Sequence, residues 1–173
     1  MVTEPLAPPR AAGADEAAIW AALGDVHDPE IPTISIVDLG VVRSVELSAA
    51  AVRIELLPTF VGCPAIELIV AGVRDRVATL VPDRPVEVEI SFAEPWTTER
   101  ITPEGRDALR RSGFAPPLPA SPPGAPIALT GAVPCPFCGS RRTVLENPFG
   151  PTACRSIRYC TDCRQPFEQF KTV

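Results

Sequence analysis

One histidine, His27, and one lysine, Lys171, are all that 173 residues contain of those two types. The single imidazole excludes metal centres built on two histidines, the usual diiron oxygenase site among them, and allows a Ser-His-Asp triad only around His27. No two glycines stand two positions apart and no lysine follows a glycine-rich loop, so the dinucleotide fingerprint and the nucleotide phosphate loop are both missing. No apolar run approaches the roughly 18 residues of a membrane-spanning helix. The first 14 residues carry three prolines, one acid and one arginine. They lack the basic-then-apolar order of a secretory signal, which predicts a soluble, cytoplasmic protein with no membrane partner.

Charge is uneven along the chain. Residues 1–100 hold 7 basic and 16 acidic side chains, and residues 101–173 hold 9 and 5, which suggests two modules with different surfaces. The overall net charge of −5 argues against nucleic acid as a partner, because phosphate contacts need basic density. Between residues 115 and 126 six of twelve positions are proline, a density that blocks helix and sheet hydrogen bonding. The predicted division is a disordered tail over 1–14, an α/β domain over 15–113, a proline-rich linker over 114–128 and a small module over 129–173.

In the first domain, Asp15 reads as a helix N-cap, and Ile19, Trp20, Leu23 and Val26 fall near one helical face that ends before Asp28-Pro29. Val41, Val45 and Leu47, then Val52, Ile54 and Leu56, alternate with polar residues as in two antiparallel strands. Ile66, Ile69, Val70, Val73, Val77 and Leu80 recur at helical spacing, with Pro64 suited to the first position. Val86, Val88, Ile90 and Phe92 form a third strand, and Thr102-Pro103-Glu104 opens a last helix that Gly113 closes. The order is αββαβα. An α+β fold with helices on a three-stranded mixed sheet is the economical way to bury these stripes.

The six cysteines point to metal or reactive thiols before disulfides in a reducing compartment. Cys135-x-x-Cys138 and Cys160-x-x-Cys163 are separated by 21 residues, a spacing that completes a tetrahedral four-sulfur shell for structural zinc. Four thiolates also hold iron or a cluster. A module this small lacks a core of its own, so metal binding supplies folding free energy on the order of 10 kcal/mol. Such a ribbon is expected to present Arg141, Arg142, Arg155, Arg158 and Lys171 to a partner. Cys154 reads either as a small core residue or as a second metal-exchanging thiol.

Gly62-Cys63-Pro64 places a thiol at a helix start, where amides and the helix dipole favour a thiolate. Cys63 is reactive or metal-touching in that reading, and a small packed residue in the other. Asp28, Glu30 and Asp38 lie in two polar turns that either join Cys63 to hold iron or cap backbone amides. His27 reads as a hydrogen-bonded helix terminus before a base, Trp20 as core, and Trp96 as either an interface aromatic or a core plug.

The series Asp28-Pro29-Glu30-Ile31-Pro32, Ser35-Ile36-Val37-Asp38-Leu39-Gly40 and Thr59-Phe60-Val61-Gly62-Cys63-Pro64 resembles the small domain of iron-sulfur assembly factors of the SufT-like kind. With Pro95-Trp96-Thr97-Thr98, Ile101-Thr102-Pro103-Glu104-Gly105-Arg106 and the ending Cys160-x-x-Cys163-x-x-Pro166-Phe167-x-x-Phe170-Lys171, the whole resembles PaaD-type subunits associated with phenylacetyl-CoA epoxidase. That resemblance implies a part in aerobic phenylacetate degradation, with oxygenase and reductase subunits as partners. One histidine and no nucleotide motif leave oxygen activation and electron entry to those partners, so an accessory or maturation role without catalytic activity of its own is expected. In that role Cys63, aided by Asp38 or Glu30 and by Cys154, transiently holds iron or an iron-sulfur cluster. A purely structural subunit and a ribbon-based nucleic-acid binder are the alternatives, and a homodimer through an exposed strand edge stays open.

Overall fold

The computed structural model describes residues 15–119 and 132–172, so the expected tail over 1–14 and the linker from residue 120 onward lie outside the described residues. The first helix, α1 (Glu16–Leu23), starts where the Asp15 carboxylate accepts the Ala18 amide at 2.8 Å. A short hairpin follows, β1 (His27–Asp28) with β2 (Ile31–Ser35), and then the central sheet of β3 (Val42–Leu47), β4 (Val52–Leu56) and β5 (Val86–Ile90). Strand β4 pairs antiparallel with β3 and parallel with β5, which makes the sheet mixed as expected. The parallel pair needs a crossover, and α2 (Ile66–Ala78) supplies it.

The sheet has one dry face and one wet face. Val52, Ile54 and Leu56 of β4 are buried beneath Ile69, Val73 and Val77 of α2 and Ile19 and Leu23 of α1. On the other face Arg43 bonds Glu55 and Glu94, and Arg53 bonds Glu87 at 2.8 Å across the strands. This period-2 division is what the alternating sequence encodes. The last helix of the domain, α3 (Pro103–Arg111), has Pro103 at its first turn and Thr102 capping the Gly105 amide at 3.0 Å.

Two expectations shift. Helix α2 begins at Ile66 and not at Pro64, because two turns precede it: the Cys63 amide donates to the Phe60 carbonyl at 3.1 Å, and Pro64 lies in the next turn, where the Ile66 amide donates to the Cys63 carbonyl at 3.3 Å. The hairpin β1–β2 adds two strands to the expected order; its pairs are few and Pro29 and Pro32 mask them.

The C-terminal module is a sheet in the order β6-β9-β8-β7, built from β6 (Phe114–Ala115), β7 (Thr143–Asn147), β8 (Arg155–Cys160) and β9 (Pro166–Phe170). Strand β6 lies inside the span predicted as linker. Its two residues pair in parallel with Glu168 and Gln169, so the chain enters the ribbon sheet as soon as it leaves the first domain. Residues 116–119 carry no regular structure, as the prolines dictate.

The ribbon's own core is small: Ala115, Val133, Cys135, Cys160 and Phe167. Phe170 does not belong to it. This ring, 2% exposed, sits in the core of the first domain, 5.7 Å from the Trp96 ring, whose Nε1 donates to the Leu39 carbonyl at 3.1 Å. Trp96 is therefore the core plug, and Trp20 packs against the same core from a half-exposed position.

Replacing Phe170 by Ala removes a buried ring that joins the two modules. The expected cost is about 3–5 kcal/mol, the usual range for a core Phe→Ala change. Urea unfolding followed by tryptophan fluorescence for the first domain and by metal release for the ribbon should then give two separate transitions in place of one.

Candidate functional site

Two cysteine groups stand at opposite ends of β8. At one end Cys135, Cys138, Cys160 and Cys163 bring their sulfurs within 4.8 Å of one another. The Cys135–Cys163 and Cys138–Cys160 sulfur pairs are each 3.6 Å apart. Four sulfurs at about 2.3 Å from a tetrahedral zinc lie about 3.8 Å from one another, so the quartet fits that ion without rearrangement.

The knuckles are near copies. In each, the amide four residues after the first cysteine donates to that cysteine's carbonyl at 2.9 Å: Gly139 to Cys135, and Arg164 to Cys160. Both residues have positive φ, 73° at Gly139 and 59° at Arg164, the conformation that closes so tight a turn. An amide hydrogen bond from Cys163, with help from Asp162, holds the Cys160 thiol down at about 7. Desolvation and the neighbouring sulfurs push Cys163 up to about 12. A divalent cation removes this conflict by taking the place of the protons.

At the other end of β8 is a cleft between the modules, lined by Asp28, Glu30, Thr59, Phe60, Cys63, Thr152, Cys154 and Arg155. The first domain supplies the β1–β2 turn and the loop before α2; Gly62, at φ 84°, turns that loop so that Cys63 follows it. The ribbon supplies residues 152–155, tied down where the Lys171 amide donates to the Cys154 carbonyl at 2.8 Å.

Arg155 fixes the two walls. Its Nη2 meets Glu30 at 2.9 Å, Nη1 lies 3.0 Å from Glu168, Nε donates to Thr152 at 2.7 Å, and the guanidinium stacks 5.7 Å from the Phe114 ring centre. Asp28 Oδ1 accepts the amides of Glu30 and Ile31 at 2.8 and 2.9 Å, which shapes the turn that carries Glu30.

Of the residues expected to act with Cys63, the structure brings Glu30 and Cys154 to the cleft and leaves Asp38 out of it. Asp38 accepts the Ser35 hydroxyl at 2.8 Å and the Thr102 hydroxyl at 2.9 Å, and so pins α3 to the turn after β2. Asp28 takes its place as the carboxylate beside the thiols. Cys154 is not a member of the four-sulfur group; it lines the cleft together with Cys63. His27 is exposed, with Nδ1 3.1 Å from the Asp25 carbonyl, and takes no part.

The expected thiolate at Cys63 is also revised. The Ala65 amide bonds the sulfur, yet burial is the larger influence, and nearby Asp28, Cys154 and Glu30 add to it, so the thiol is pushed up. Burial likewise pushes Cys154 up, against the Thr152 hydroxyl and the Arg155 charge. The basic ribbon face is not formed either. Arg155 and Arg158 are buried, Arg142 pairs with Asp162, and Lys171 lies 5.2 Å from the Phe149 ring centre, which leaves Arg141 alone as an exposed and uncommitted cation of the five. Burial lowers the affinity of Arg158 for its proton, and its Nε donates to Gln169 at 2.6 Å.

The comparisons with known proteins follow the two modules. The family described as PaaD zinc beta ribbon domain matches residues 120–171, and the family described as iron-sulfur cluster assembly protein matches residues 16–90. An Escherichia coli K12 protein, named as one of the subunits of a "Putative 1,2-phenylacetyl-CoA epoxidase", is 39% identical over 155 residues, which cover 90% of this chain and 92% of that one. The chain belongs to the PaaD family.

An Fe-S protein maturation auxiliary factor of Bacillus subtilis is 34% identical over 92 residues, 53% of this chain and 89% of the relative. Among solved structures, a domain of unknown function from Bacillus anthracis has a TM-score of 0.51 at 33% identity, covering 54% of this chain and 90% of that domain. The assembly-factor relatives thus match the first module, and the ribbon match covers the module that contributes Cys154. Among the described residues no helix is long and apolar enough to cross a membrane.

Because both cleft thiols are pushed up, their protonated forms stabilise the fold below the unfolded thiol value of about 8.5, and that contribution is lost as pH rises through the folded values. Iodoacetamide labelling of zinc-loaded protein, followed peptide by peptide, should show half-maximal rates for Cys63 and Cys154 above about pH 8.5. Half-maximal rates below that point would contradict the burial argument.

Proposed function

We propose that this PaaD-family chain is an accessory maturation factor that supplies iron, or iron on its way into a cluster, to components of a phenylacetyl-CoA epoxidase system. The observation that carries this reading is the cleft itself: the Cys63 loop of an assembly-factor domain is walled by a ribbon strand that brings a second thiol and a salt-bridged arginine. The relatives support both halves, one named as an epoxidase subunit and one as a maturation factor.

Cys63 is the carrier thiol in this reading, and Cys154 and Glu30 are its neighbours. Burial keeps the thiol protonated until a metal displaces the proton, which protects an unloaded carrier from adventitious oxidation. Phe60 and Val61, exposed on the same loop, give a client an apolar contact beside the cargo. Zinc is the resident metal of the four-cysteine group, and its part is structural: it holds β8, and hence Cys154, in place. Oxygen activation belongs to other subunits, since this chain has one histidine and that one is exposed away from the cleft. A cytoplasmic setting fits free thiols on a carrier.

Co-expression with the oxygenase and reductase components tests the reading. Cys63→Ser should lower iron or acid-labile sulfide per client several-fold while leaving one zinc per chain in this protein. Full occupancy of every client in the Cys63→Ser strain, with the chain still copurifying, would favour a purely structural subunit instead.

A further inference from the structure

Outside the four-cysteine group, the described residues bring cysteines from different modules together in one place. Cys63 and Cys154 both line the cleft, and both pack against the core of the first domain although Cys154 belongs to the ribbon. Each sulfur has a hydrogen-bonding neighbour suited to a thiolate, the Ala65 amide for Cys63 and the Thr152 hydroxyl, 3.2 Å away, for Cys154. Asp28 lines the same cleft at 8% exposure; its Oδ1 is committed to two amides, and no hydrogen bond to its Oδ2 is found among the described residues. Glu30 Oε2 is engaged by Arg155 at 2.9 Å.

Two soft sulfurs with one carboxylate oxygen form a donor set for borderline divalent cations, the class of iron(II), cobalt(II) and zinc(II). The space suits a single ion. The cavity is about 20 Å³, room for a single water or ion.

We propose that Cys63, Cys154 and Asp28 form a loading site for one borderline divalent cation, with iron(II) as the cargo. This rests on the reading of the cleft as the carrier site. Binding forms two metal–sulfur bonds and one metal–oxygen bond and breaks two S–H bonds, whose protons leave to solvent; no electron changes hands. Two thiolates, one carboxylate and a dication leave one net negative charge, placed beside the Arg155 guanidinium. The ribbon quartet is the group of three or more donors already within ligand range among the described residues, so the cleft donors must close on the ion. A site that is not preset binds less tightly than a rigid one, as a cargo that has to be passed on requires.

The test uses the full chain, reduced and anaerobic, with its ribbon filled by one zinc, and cobalt(II) as the probe. Zinc outcompetes cobalt for the four-thiolate shell, so cobalt reports on the cleft. One further cobalt per chain with a thiolate-to-metal charge-transfer band is expected. Cys63→Ala and Cys154→Ala should each abolish the band, and Asp28→Asn, which keeps the Oδ1 cap, should weaken binding about tenfold or more. Zinc at one per chain in every variant separates loss of the site from misfolding.

No band in the wild type, or a band that survives Cys154→Ala, would overturn the two-thiol site. If cobalt fails to bind while Cys63→Ser still depletes the clients, the site falls and the carrier reading stands. If cobalt binds as expected but Cys63→Ser leaves the clients fully loaded, iron as cargo is overturned together with the carrier reading.

Discussion

A guanidinium buried between two modules cannot be left unpaired, and Arg155 imposes that condition on everything around it. Its charge is taken up by Glu30 from the first domain and Glu168 from the ribbon, with Thr152 and the Phe114 ring completing the enclosure. Removing one partner of such a group costs several kcal/mol, because the remaining charge stays desolvated. The two modules therefore dock with the β1–β2 turn against residues 152–155 or not at all. Cys154 is next to Arg155 in the chain, so the constraint that docks the modules also sets the second thiol in the cleft that holds Cys63.

The apolar counterpart of that clamp is Phe170. The first domain by itself presents a core with Trp96 at its margin, and the ribbon by itself has a core of five residues that includes two of its metal-binding cysteines. Neither module is closed alone. The ring on β9 fills the first domain from outside while its strand carries the β-pairing of the ribbon, so a metal that closed the knuckles would also hold a core residue of the other module in position. The zinc-ribbon end and the thiol cleft are linked through one strand, β8, which carries Cys160 at one end and Arg155 at the other.

Much of this fold is legible in the chain because its signals are local. Asp15 and Thr102 are helix caps within three residues of the amides they bind, and the strands around Val45, Ile54 and Val88 alternate with a period of two. The four-sulfur group is legible for the same reason, since its geometry is set by two turns of fixed length. The β1–β2 hairpin escapes notice because its first strand is two residues long and its turn is dominated by Pro29. Phe114 and Ala115 read as linker because pairing with β9, some fifty residues later, leaves no mark on a two-residue segment followed by prolines.

The site was less legible than the fold, and for one physical reason: its members are joined by tertiary contacts and not by spacing. Asp28 and Asp38 are equivalent as sequence, each an acid in a polar turn. The structure separates them, because the Ser35 and Thr102 hydroxyls occupy the oxygens of Asp38, whereas only one oxygen of Asp28 is committed. Arg155 and Arg158 read as a surface for a partner because a charge on a short strand is usually solvated, and only tertiary packing buries both, Arg155 against Glu30 of the first domain and Arg158 against Gln169 of the ribbon. The thiol of Cys63 shows the same override. Position before a helix argues for a thiolate, but α2 starts too late for its dipole to act on the sulfur at close range, and the ribbon that covers the cleft removes the water that would have stabilised the charge. Burial wins, and both thiols of the covered cleft are pushed toward their neutral form.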